Sequence, residues 1–168
     1  MEVFIKLASL SFWTKFADLH GFLAMASLFL FGTCFILYFT TIKTNFTIKW
    51  LRTALLVLFI DLVLLDIAGL LIYIPYRAPG GPRSLLLSSE QISWLHKIIF
   101  EHKEFLAFAP PILIYTAFLI VNNLKSDFGN IGKCIWLRRS VIASIILALI
   151  FVLVVAGEAV LVTKVAPI

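Results

Sequence analysis

Four long runs of apolar side chains dominate the chain, separated by short polar connections. Crossing a hydrocarbon core about 30 Å thick takes roughly 20 apolar residues in a helix. The pattern therefore predicts spans over about residues 16–42, 51–74, 94–124 and 137–163. The expected fold is all-α: an integral membrane four-helix bundle formed as one domain, residues 1–168. Ahead of the first span, residues 1–15 alternate large apolar residues with Glu2, Lys6 and Lys15, a pattern that fits an interfacial helix.

Local signals refine these spans. The stretch YRAPGGPRS after span two reads as loop, since Pro and Gly disfavour helix there. Ser88, with Gln91 three residues on, has the form of a capping box and predicts the start of the third helix. Pro110 and Pro111 predict a kink within that helix.

Composition agrees with the pattern. Apolar and aromatic residues make up 62% of the chain and charged ones 14%, against roughly 25% charged in ordinary soluble domains; mean hydropathy is +1.07. The net charge of +5 does not point to nucleic acid, because the basic residues cluster beside the spans, where positive charge sets topology. Loops one and three carry Lys43, Lys49, Arg52, Lys125, Lys133, Arg138 and Arg139 against Asp127 alone. The positive-inside rule then places these loops in the cytoplasm, both termini on the outer side, and the chain in the cell membrane as a multi-pass protein. Cys34 and Cys134 lack metal or haem-attachment spacing and read as free thiols.

Ionisable residues inside or at the mouths of spans carry the candidate chemistry, because a charge in hydrocarbon is costly and persists where it has a partner or a cavity. In this topology His20, Asp66, His96, Glu101, His102, Glu104 and Glu158 gather at the outer ends of four helices, and the inner half holds no deeply buried titratable group. Asp66 shares its face with Gly69 and Tyr73, which favours it over Asp61 for an interior role. His102 has Leu95, Ile98, Ile99, Phe105 and Leu106 on its face and is expected to turn into the bundle; His96 points about 120° away. His20 and His102 are thus the candidate cofactor and metal ligands, with His96 as their substitute. Asp66, Glu101, Glu104 and Glu158 are the candidates for proton or quinol contacts.

With four spans, the His20-Gly21 pair and His102, the chain resembles small four-helix membrane cytochromes b of the broad b561-like kind. The resemblance implies one b-type haem near the outer face, held by two neutral imidazoles. It also implies electron exchange with quinol inside a larger respiratory complex. Three other readings of the same residues stay open: an accessory subunit without a cofactor, a carboxylate and histidine metal site, and proton-coupled transport through Asp61 and Asp66.

Overall fold

The computed structural model describes residues 11–44, 47–129 and 131–165, so most of the expected N-terminal interfacial segment lies outside the described residues. Helix α1 spans Phe12–Thr44 and α2 spans Ile48–Arg77. A short α3, Pro82–Ser88, precedes a π-helical turn at Leu95–Phe100. This turn runs into α4, Glu101–Ala107, and α5, Ala109–Leu124. A 3-10 turn at Lys125–Gly129 leads to α6, Ile131–Val165. Four helical stretches are long and apolar enough to cross a membrane: Phe12–Thr44, Ile48–Arg77, Leu95–Leu124 and Cys134–Val162. The chain is accordingly a multi-pass membrane protein in its architecture.

The outer surface of the bundle is consistent with contact with lipid. Phe22, Phe29 and Ile36, seven residues apart on α1, are each 70% exposed or more. Water would penalise such a stripe, whereas lipid tails are as apolar as the side chains themselves. Burial inside a bilayer therefore gains little from the hydrophobic effect, and the helices are held by close packing and polar contacts instead.

α1 packs on α2, α2 on α5, and α5 on α6, while α1 and α6 meet more sparsely. The main core lies toward loops one and three, with Phe31, Cys34, Leu55, Leu58, Ala117, Val121, Val141 and Ile145 interlocked. Phe128, carried by the 3-10 turn, plugs this end and meets Tyr38 edge-on at 6.0 Å. The Tyr38 hydroxyl donates to the Arg138 carbonyl at 2.9 Å, tying α1 to α6.

Three local expectations require correction. First, Ser88 does not begin the third long helix: it ends α3, and its hydroxyl donates back to the Leu85 carbonyl at 2.9 Å. Second, the segment read as loop is mostly helical. Pro75 lies within α2, and Pro82 opens α3, the position where its missing N–H costs nothing. Only the turn between them is irregular. Gly80 adopts φ +76°, and a Cβ on Gly81 would lie 2.7 Å from the Pro75 carbonyl, so both glycines are required by the tight reversal. Third, the inner half does bury an ionisable group, for Arg138 is only 8% exposed. Asp61, near the middle of α2, is also 8% exposed. The proline expectation holds: the third span breaks at Phe108, directly ahead of Pro110 and Pro111.

Candidate functional site

At the end away from the main core the helices part around a cleft of about 430 Å³, lined by residues from all four spans. Small side chains stand among larger apolar ones such as Leu62, Leu65 and Val155 in its walls: Ala17 and Ala24 from α1, Gly69 from α2, Ala107 from α4, and Ala156 and Ala159 from α6. Facing small residues leave room that larger side chains would fill. The polar groups set among them are His20, Asp66, Tyr73, Lys103 and Glu104.

His20 is the best-placed of these. Its Nδ1 lies 3.1 Å from the Leu65 carbonyl oxygen, which accepts only, so Nδ1 carries the proton and donates. Nε2 is then the ring nitrogen with a free lone pair on the cleft. The ring lies against Gly69, where a Cβ would sit 3.4 Å from its Cε1. An alanine fits at that limit; any larger residue would push the imidazole aside.

Above His20 the cleft is roofed by aromatic rings. Tyr76 and Phe100 stack face to face with centroids 4.2 Å apart and planes 2° apart, and Tyr73 lies near parallel to Phe100 at 5.4 Å. Two cations rest on these faces: Lys103 Nζ is 4.3 Å from the Phe100 centroid and the Arg77 guanidinium 4.2 Å from that of Tyr73.

His96 is buried beside this stack and fully engaged. Arg83 Nε donates to its Nε2 at 3.1 Å, and its Nδ1 lies 3.0 Å from the Tyr76 hydroxyl. Guanidinium can only donate, so Nε2 accepts and the proton sits on Nδ1. The contact links α2, α3 and the π turn through one imidazole.

His102 departs from expectation. Its side chain is 56% exposed, and its Nδ1 lies 2.7 Å from Glu158 Oε1. It reaches Glu158 on α6 and does not line the cleft. Its expected face-mates Ile98 and Phe105 are 61% and 80% exposed, so the apolar face read as interior is one that looks toward lipid, where apolar side chains are equally at home. Lys97 does not pair with the exposed Glu101. Glu158 is 13% exposed, with Oε2 buried and unpartnered. Asp66 reaches the cleft as expected, whereas Asp61 is buried in the main core with Oδ2 lacking a partner.

The structure thus brings together His20, Asp66 and Glu104 and leaves His102, Glu101 and Glu158 outside the cleft. A bis-histidine haem needs two facing imidazoles across one cavity. Here one faces the cleft, one is committed to Arg83 and Tyr76, and one lies on the surface. That donor set does not fit such a haem. Among the described residues no three His, Cys, Asp or Glu side chains converge as metal ligands. Sequence reasoning passed over Lys103, Arg83, Tyr76 and Phe100. The i, i+3 pairs Tyr73/Tyr76 and Phe100/Lys103 were the available signal, as residues three apart share a helix face. Comparison with protein-family models, with curated proteins and with solved structures finds no match.

Proposed function

We propose that the chain is a membrane-embedded quinol-binding subunit, taking the quinol head into the four-helix cleft and working with redox partners in a larger respiratory assembly. The observation that supports this best is His20: its Nδ1 is held by the Leu65 carbonyl, so Nε2 faces a cleft with small apolar walls. A quinol head is a flat ring with a hydroxyl at each end. Small walls suit the ring, His20 Nε2 accepts from one hydroxyl, and Glu104 or Asp66 accepts from the other. Oxidation to the quinone releases two electrons and two protons; the imidazole and a carboxylate would receive the protons, and a redox cofactor of the partner subunit would be reduced by the two electrons.

The basic bias of loops one and three supports placing the cleft at the outer membrane face. Native Cys34 and Cys134 are buried, so single cysteines in place of Glu90 and Asp127, both exposed, report the orientation. An impermeant thiol reagent added outside labels the first and spares the second; the reverse would invert the assignment.

Binding is tested on the full chain in lipid nanodiscs with a quinol analogue. His20→Ala is expected to weaken binding at least about tenfold, the loss of roughly one charge-independent hydrogen bond in a buried site. His102→Ala is expected to leave it unchanged. No binding by the unaltered protein would sink the reading and favour an accessory subunit. Loss in the His102 variant together with low-spin haem bands in the optical spectrum would restore the bis-histidine expectation.

A further inference from the structure

A second cavity lies on the flank of the bundle. It is a groove of about 380 Å³ between α2 and the third span, lined by Phe59, Val63, Ile67, Pro111, Ile112 and Tyr115 among others. Ile67 and Ile112 are 48% and 65% exposed, so the groove opens toward lipid. Three residues, Asp66, Leu70 and Phe108, line both this groove and the interior cleft. At that point the wall between lipid and cleft is a single layer of side chains.

The thin wall coincides with the break in the third span. α4 ends at Ala107 and α5 begins at Ala109, so Phe108 sits at the junction, and the two prolines that follow supply no backbone N–H to the turn before them. Phe108 is 47% exposed there. Farther along the groove the Phe59 and Tyr115 rings close the gap, with centroids 5.0 Å apart. The thin wall formed by Asp66, Leu70 and Phe108 thus lies beside the proline break.

We infer that the ligand of the cleft is a quinol carrying a hydrocarbon tail, which arrives from the lipid past Phe108 and leaves its tail in this groove. The inference rests on the quinol reading above and specifies its substrate class. Apart from Asp66, Tyr115 and Thr116, whose hydroxyl is turned back to the Ile112 carbonyl at 2.9 Å, the groove offers apolar side chains, a surface suited to a hydrocarbon chain and unsuited to a charged headgroup. Its continuity with the cleft through Asp66, Leu70 and Phe108 favours the tail of the cleft's own ligand as occupant over a separate protein helix, which would need no passage inward. Phe108 and Leu70 flank the passage; Asp66 lies where head and tail meet.

The experiment compares two probes on the full chain in nanodiscs, a tail-less benzoquinol and the same head bearing a decyl chain, with concentrations expressed per lipid. On this per-lipid scale the unaltered protein is expected to bind the decyl form a few-fold more tightly, through close packing of the tail against the groove and not through its transfer out of water. Ile112→Trp and Ile67→Trp fill the groove from lipid-exposed positions that do not line the cleft. Each is expected to erase the tail preference while leaving the tail-less quinol unaffected. Equal affinity for both probes in the unaltered protein, or a tail preference that survives both Trp variants, would overturn the groove assignment with the quinol reading intact. If neither probe binds the unaltered protein, the quinol reading itself falls and the groove assignment with it.

Discussion

The two ends of this bundle are built from the same four helices and pack in opposite ways. Toward loops one and three, Leu55, Leu58, Ala117, Val141 and Ile145 are inaccessible, and Phe128 and the Tyr38 to Arg138 hydrogen bond seal the end. Toward the α2–α3 turn, the same helices present alanines and glycine to one another and enclose the cleft. Helix association in lipid has little hydrophobic drive, so the end that interlocks holds the bundle together, and the other end is free to be hollow.

Enlarging a small residue at each end separates the two most sharply. Ala117→Phe at the packed end has no room and is expected to destabilise by about 3 kcal/mol or more, seen as loss of folded protein in detergent or a large drop in thermal midpoint. Ala24→Phe projects into the cleft and is expected to leave the midpoint nearly unchanged while blocking quinol. Similar destabilisation by both would show that the cleft is not a standing feature of the fold.

A smaller effect is expected at the rim. Tyr76→Phe removes the acceptor of the His96 Nδ1–H, in a contact 3.0 Å long, and keeps the ring stack with Phe100. The cost is about 1–2 kcal/mol, the penalty of leaving a buried donor unpaired, read in the thermal midpoint. An unchanged midpoint would mean that the open end draws no stability from this contact.

The span pattern made the architecture legible from sequence because lipid imposes one rule, a long apolar helix, on every crossing. Convergence of His20, Asp66 and Glu104 was legible too, since it follows from topology and depth. Orientation around the third span was not. The apolar face shared by Ile98, His102 and Phe105 looks outward, with Ile98 and Phe105 61% and 80% exposed, because an apolar face suits lipid as well as an interior, and nothing in the pattern of LHKIIF marks the π turn that carries the buried His96. Asp61 was misjudged for a related reason: periodicity ranks faces by their neighbours on one helix, while burial depends on what α1, α5 and α6 bring against it.

The smallest effect is expected at His102. With the side chain 56% exposed, its contact with Glu158 is discounted as a surface pair worth about 0–1 kcal/mol. His102→Ala is therefore expected to lower the thermal midpoint only slightly, the drop arising because Glu158, 13% exposed, loses this partner while its Oε2 is already unpaired. A drop as large as that of Tyr76→Phe would place this pair among the contacts that hold the open end.

Helices adjacent in sequence are adjacent in space, from α1 to α2 to α5 to α6, and α1 meets α6 sparsely. Mostly near-neighbour contacts favour fast assembly, and each hairpin can dock as it enters the bilayer during synthesis. α6 brings Val155, Ala156 and Ala159, which form one wall of the cleft. A chain halted before α6 would hold His20 and Asp66 in a trough open to lipid on one side, and the chamber comes into being only when α6 docks.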